Sequence, residues 1–303
     1  MNPTPRELRP YLKSRPGAAA GSHGKRGYLR MGFELDDRGR SILRDLERRT
    51  PLIVQQELYF DEAMPEMPCV YILSSGGPNV DGDRYEQHFS AGPGACAHIS
   101  TGAATKLAEM RCDCSALTQT FTLGEDAYME YLPEPVIPCR NTRFVADTLI
   151  TVHPSATLFY AETYLGGRKY FGAGERFDYD LLSVRLRARR EDHEPLFCEK
   201  FVIQPRQLTP DRPGAMNGFD VFAEAVVLTP QPHADALYAS TPAYLDRQAG
   251  VAAGISRLPN RCGVIFKVLG RESEPVKRIV REFCSAVRLQ VRGRPLFDEF
   301  PWR

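Results

Sequence analysis

The sequence predicts a mainly β protein, its strands mostly antiparallel, with a few helices near the C-terminus. Three observations carry this. Leu182 to Arg189 alternates strictly between apolar and polar residues, the signature of a strand with one buried and one wet face. Short segments of similar character recur along the chain, separated by turn signals at the spacing of an all-β protein. A helical period appears only late, in 276–287.

The elements follow in order. Residues 1–26 are rich in Pro, Gly and Arg and read as a disordered lead-in, with no apolar run resembling a secretory signal. Strand segments are expected near 28–35, 41–47, 52–58, 69–74, 84–89, 95–100, 115–123, 127–132, 142–151, 156–163, 182–189, 197–203, 219–228 and 262–269. Between them stand Asp37-Arg38-Gly39, Gly76-Gly77-Pro78, Asp81-Gly82, Gly92-Pro93-Gly94, Gly166-Gly167 and Asp211-Arg212-Pro213-Gly214, residue types that favour chain reversal. One helix is expected at about 234–248, with Thr241-Pro242 restarting or kinking it. A second is expected at about 274–289. There Val276, Ile279, Val280, Phe283, Cys284 and Val287 share one face, Ser273 can serve as N-cap, and Glu274 puts negative charge in the first turn. No linker or repeat interrupts 27–303, which reads as a single β-rich domain.

Composition narrows the function. The 303 residues are 43% hydrophobic and 25% charged, enough to bury a sizeable core without disulfides or structural metals. With 39 basic and 38 acidic side chains the net charge is +1, so nothing in bulk favours nucleic acid or an acidic membrane. The balance is segregated, however. Residues 54–134 hold 13 acidic and 3 basic side chains, whereas both flanks are net positive. No apolar run is long enough for a membrane span. The eight cysteines are scattered, as in a cytoplasmic protein with reduced thiols. HExxH, CxxC, GxxxxGK[ST] and GxSxG are all absent, which lowers the case for the commonest enzymes.

Several residues could carry chemistry. Cys112 and Cys114 could share a strand face, but no further metal ligands accompany them. Asp83, in Asp81-Gly82-Asp83, reads as a turn clamp or as a cation contact. Glu175, beside Arg176 in a Gly-rich turn, reads as an ion-pair partner or a functional carboxylate. Glu130, Glu134 and Glu162 sit in or next to apolar strands, where a carboxylate needs a partner or its pKa rises. His98 and His153 read as structural or exposed. Lys277, Arg278, Arg281 and Arg288 are polar positions on the late helix, forming a solvated face or a partner-docking patch. A glycosidase using Glu130 and Glu134 is disfavoured, because i and i+4 on a strand lie roughly 13 Å apart, beyond the ~5–9.5 Å of such pairs.

A set of ordered motifs resembles the UreD (UreH) family of urease accessory proteins. Thr101-Gly102-Ala103-Ala104-Thr105-Lys106 resembles its T-x-A-A-T-K element, and Pro51 to Tyr59 its P-L-x-V-Q-x-x-L-Y element. Gly77 with Val80-Asp81-Gly82-Asp83 is similar to its Gly-rich stretch ending in G-D. Leu132-Pro133-Glu134-Pro135-Val136, Gly167-Arg168, Gly174-Glu175-Arg176-Phe177, Gly254 to Asn260 and the terminal Pro301-Trp302-Arg303 resemble further elements, all in family order. Many members have Gly where Asp81 stands, and many bacterial members read P-Q-E-T at Pro133 to Val136. The resemblance implies an elongated, layered, β-helix-like arrangement of antiparallel and mixed strands. It also implies a non-enzymatic scaffold that binds apo-urease and UreF, and through UreF the GTPase UreG, in nickel delivery to the urease metallocentre. No tightly bound cofactor is expected, only transient Ni2+ passage. On that reading Asp83, Glu130, Glu134, Glu162 and Glu175 are conduit candidates, and Lys277, Arg278, Arg281 and Arg288 are docking candidates. The alternative is a generic β-rich binding module without a metal role.

Overall fold

A computed structural model describes residues 4–12 and 24–296. The motif Pro301-Trp302-Arg303 lies outside the described residues. Within the expected disordered lead-in, Arg6–Tyr11 forms a 3-10 turn instead. Leu8 is buried against Cys114 and Leu181, and Glu7 binds Ser183 and Lys200, so contacts with residues distant in sequence hold this piece in place.

The chain opens with the hairpin β1 (Arg26–Leu35) and β2 (Ser41–Arg49), followed by β3 (Leu52–Ile53) and β4 (Cys69–Ser74). It then winds as a coil, alternating between two facing sheets. The coil comprises β5 (Arg84–Ala91), β6 (Cys96–Thr101), β7 (Thr105–Leu107), β8 (Ser115–Leu123), β9 (Tyr128–Tyr131), β10 (Val136–Pro138), β11 (Arg143–Val152), β12 (Thr157–Leu165) and β13 (Leu181–Arg189). β14 (Pro195–Ile203) folds back on β13. β15 (Val221–Leu228), α1 (Gln231–Ser240), β16 (Tyr244–Asp246), β17 (Val251–Arg257), β18 (Gly263–Gly270) and α2 (Ser273–Arg292) complete the order.

One sheet has seven strands in the order β14-β13-β11-β8-β5-β1-β2, and the other runs β16-β17-β18-β15-β12-β9-β6-β4-β3. In the coil, β5, β8, β11 and β13 pair in parallel, as do β4, β6, β9 and β12. The mostly antiparallel pairing inferred from turn spacing therefore holds for the two hairpins of the smaller sheet and for the run β16-β17-β18-β15-β12 of the larger one, while the coil between them is parallel. Short turns normally join antiparallel neighbours, but in the coil the turns after β5, β8 and β11 carry the chain to the opposite sheet. The next strand in the same sheet arrives one coil later and runs the same way. The layered, β-helix-like, mainly β class is the one found. Parallel strands covered on both faces lose their alternation, and β12 has eight consecutive buried residues.

The main core lies between the sheets, where Leu29, Met31, Phe33, Phe89, Phe121, Tyr131 and Tyr160 meet. A second core lies outside the larger sheet. There α2 lays Val276, Ile279, Val280, Phe283, Cys284 and Val287 on Phe159, Val227 and Phe266. The predicted helical face is thus the buried one. Glu272 stands at the N-cap rather than Ser273, without a side-chain cap bond. The earlier helix ends at Ser240 rather than near 248, because the residue before Pro242 disfavours the helical region. The chain then forms the exposed edge strand β16.

Candidate functional site

The coil stacks residues one turn apart, and polar side chains on the inner faces fall into a row. Gln119 stands 32 residues after Gln87 and directly beside it, and its Nε2 donates to Gln87 Oε1 at 2.8 Å. The same nitrogen donates to Tyr131 Oη at 2.9 Å, and Thr148 Oγ1 donates to Gln119 Oε1 at 3.1 Å. Tyr160 Oη lies 3.3 Å from Thr148 Oγ1 and also bonds the carboxyl of Glu162. Glu162 accepts a second bond from Tyr164 Oη at 2.9 Å. Across the antiparallel ladder Glu162 pairs with Glu224, and Glu224 with Lys267. Lys267 Nζ lies 4.0 Å from Glu224 and 2.5 Å from Glu199, and both of these outer side chains, Lys267 and Glu199, reach solvent. A continuous polar row therefore leads from the core between the sheets to the surface.

The two inner carboxyls are electrostatically unusual. Burial pushes Glu162 up to about 7, against the lowering effect of the two tyrosine hydroxyls. Burial also pushes Glu224 up to about 7, reinforced by the neighbouring Glu162. Burial therefore disfavours the charged form of both carboxyls near neutral pH, and their oxygens are hard donors.

The other sequence candidates occupy separate surroundings. Asp83 is fully buried and is a turn clamp. It accepts from Lys25 N at 2.8 Å, Val80 N at 2.9 Å and Tyr85 Oη at 3.0 Å, and pairs with Lys25 Nζ at 2.9 Å. Its neighbour Asp81 accepts the backbone N–H groups of Arg111, Cys112 and Asp113, so the Cys112-Asp113-Cys114 segment is a capped loop. Glu175 receives a forked pair from Arg168 at 2.7 and 2.8 Å, and these hydrogen bonds hold it below the usual carboxylate range. Glu134 pairs with Lys277 at 3.0 Å. Among the described residues, no group of three or more His, Cys, Asp and Glu side chains is placed to hold a metal ion.

Glu130 belongs to a buried ionic knot under α2. Arg288 grips it with Nε at 2.7 Å and Nη2 at 2.6 Å, and also pairs with Asp61. Tyr128 Oη donates to Glu130 at 2.5 Å, and His98 Nδ1 stands 2.7 Å away. Burial alone would raise Glu130, but the Arg288 charge and bonds win and hold it well below the ordinary range. Arg288, expected on a polar surface, has 0% exposure and cannot form part of an exposed patch. It sits at the border of the apolar face, one position beyond Val287, where helical spacing alone does not separate rim from core.

Lys277, Arg278 and Arg281 do face a surface feature. They line a groove of about 920 Å3 together with Leu58, Tyr71 and Leu73. Sequence reasoning missed Glu224, although the signal was present. Ala223-Glu224-Ala225 is a lone carboxylate in an apolar strand, just as Ala161-Glu162-Thr163 is. Lys267, Gln87 and Gln119 gave no signal, because only the stacking of the coil aligns them.

The family model described as UreD urease accessory protein matches residues 25–303. Urease accessory protein UreD 2 of Brucella suis biovar 1 (strain 1330) is 45% identical over 297 residues, covering 98% of each chain. The protein of that name from Brucella abortus (strain 2308) is 45% identical over 299 residues, with the same coverage. Urease accessory protein UreD of Yersinia pseudotuberculosis serotype O:1b (strain IP 31758) is 41% identical over 297 residues, covering 98% of this chain and 92% of its own.

Proposed function

The chain belongs to the UreD family of urease accessory proteins, and from that premise we propose that it is a non-catalytic scaffold through which Ni2+ reaches apo-urease. The scaffold docks on apo-urease and on UreF, which brings in UreG. The polar row between the sheets is the observation that carries the metal part of this reading. Glu162 and Glu224 are its ion-handling members, with Glu199 at the surface end. A conduit has to bind a cation weakly at successive points, so that each site can release it to the next. Carboxylates, hydroxyls and amides, assisted by water, suit that task better than a closed His/Cys cage. Asp83, Glu130 and Glu175 serve the frame of the route rather than its lining, since their oxygens are committed to clamps and ion pairs. Glu134 stands at the α2 groove. Lys277, Arg278 and Arg281 there supply the docking charge.

The reading also places the working protein in the cytoplasm with urease. Among the described residues no helix is long and apolar enough to cross a membrane. The test replaces Glu162 and Glu224 together by leucine in cells co-expressing urease and the other accessory proteins. Nickel per urease active site and urease activity are expected to fall together, while co-purification of the scaffold with its partners persists. Full nickel loading by the double variant would overturn the route. Loss of all co-purification by the unsubstituted chain would leave only a generic β-rich module.

A further inference from the structure

A smaller cavity, of about 350 Å3, opens where the loop from Gly166 to Arg176 meets the start of α2. Ile137, Leu165 and Val221 line it, together with Tyr170, Phe171 and Arg271. The loop that carries the two aromatic residues is braced. Gly167 has φ 131°, and a Cβ there would stand 1.9 Å from Glu175 O, so only glycine lets the two arms of the loop approach this closely. Arg168 forks onto Glu175 and stands over the Phe171 ring at 3.8 Å. Lys169 Nζ donates to Asp220 Oδ2 at 3.0 Å and to Glu272 Oε1 at 2.7 Å. Tyr170 Oη donates to the same Glu272 oxygen at 2.7 Å. The loop is thus tied to the head of α2, yet Tyr170 is 80% exposed and Phe171 57%. Keeping two rings in water is unfavourable, while fixing them in advance lowers the ordering cost of an association. Aromatic residues and arginine dominate interface hot spots.

The charges around the cavity are committed, with one exception. Arg176 pairs with Asp211 and Asp220, and Arg168, Lys169 and Glu272 are engaged within the loop and its brace. The exposed Arg271 guanidinium has no hydrogen bond or ion pair among the described residues. We propose that the cavity and its aromatic lip form a docking site for a segment of a partner protein that carries an apolar side chain next to a carboxylate. The apolar side chain enters beside Ile137, Leu165 and Val221, and the carboxylate meets the planar fork of Arg271. The cavity lies at the small end of the range for free ligands. The exposed rings extend the contact surface beyond it, which suits a piece of protein chain. This goes beyond the scaffold reading, because it uses neither the polar row nor the cations of the α2 groove. Nickel loading and recovery through that groove are separate measurements, so either can fail without the other.

The test places the photoreactive residue p-benzoylphenylalanine at Phe171, and in a second variant at Tyr170, of the full chain. Cells co-expressing urease and the other accessory proteins are irradiated, and the cross-linked peptides are mapped by mass spectrometry. Both variants are expected to mark one segment of one partner, in which an apolar residue stands within two positions of an Asp or Glu. Adding Arg271→Glu should lower the yield by about tenfold, the scale of one interface hot spot. Changing the partner's carboxylate to Lys should then restore it, and that rescue separates a lost contact from a misfolded chain. A yield from both variants no higher than from the same photoreactive residue at Leu35, an exposed position elsewhere, would overturn the site. Cross-links to a segment without a carboxylate, or to a second copy of this chain, would do the same. So would a yield indifferent to Arg271→Glu or a failed rescue.

Discussion

Replacing Glu162 by glutamine should make the protein more stable and less useful. The carboxyl sits near 7 in the fold against an ordinary 4.5, because burial disfavours its charge. The native state therefore holds this proton more tightly than the unfolded chain. The stability this adds is complete below about pH 4.5 and is lost as pH rises through about 7. Roughly 2.5 pH units at about 1.4 kcal/mol each puts the cost of the ionised form at ~3.5 kcal/mol. The amide introduced by Glu162→Gln keeps an acceptor for Tyr164 and carries no charge. Chemical denaturation followed by circular dichroism at pH 5, 6, 7 and 8 should show parent and variant similar at pH 5. At pH 8 the variant should be ahead by about 2–3 kcal/mol. In cells the same variant should activate urease less well despite its stability, the pattern of a functional site that costs stability. A stability difference that stays constant from pH 5 to pH 8 would refute the burial argument.

Other substitutions test the frame. Arg288→Ala removes the buried cation that Glu130 and Asp61 share, and should cost about 3–5 kcal/mol in denaturation experiments. Phe283→Ala opens a cavity against Phe159 and Phe266 and should cost about 3–5 kcal/mol by the same measurement. Gly263 has φ 149° and a Cβ there would stand 1.8 Å from Val227 O, so Gly263→Ala should lower the melting temperature markedly. Lys277→Glu/Arg278→Glu should weaken recovery of the partner proteins in a pull-down while leaving the melting temperature within a few degrees.

Much of this architecture was legible in the residues themselves. The alternation at Leu182 to Arg189 and the apolar face of α2 pointed to the correct elements, because each depends on local periodicity. The direction of strand pairing was not legible. A turn such as Gly92-Pro93-Gly94 specifies reversal, but whether the next strand joins the same sheet or the opposite one depends on the whole coil. The same limit hid the polar row, since Gln87 and Gln119 are unremarkable until a full turn of chain puts them in contact. Glu162 was visible as a lone carboxylate among apolar residues. Arg288 was misplaced because a charge at the border of an apolar face looks solvated until Asp61 and Glu130, distant in sequence, are seen to meet it.

The parallel coil has antiparallel hairpins at both ends of its smaller sheet, β1–β2 on one side and β13–β14 on the other. Inner turns touch only the turns above and below, whereas the hairpins close the stack. Such a body is extensible in units. Adding or removing one complete turn would move its two ends relative to each other by about 4.8 Å, one strand spacing, without altering either end. The separation between two surfaces presented by such a scaffold is therefore set by a whole number of turns. Chains that differ by a turn could match assemblies of different depth while keeping the same contacts.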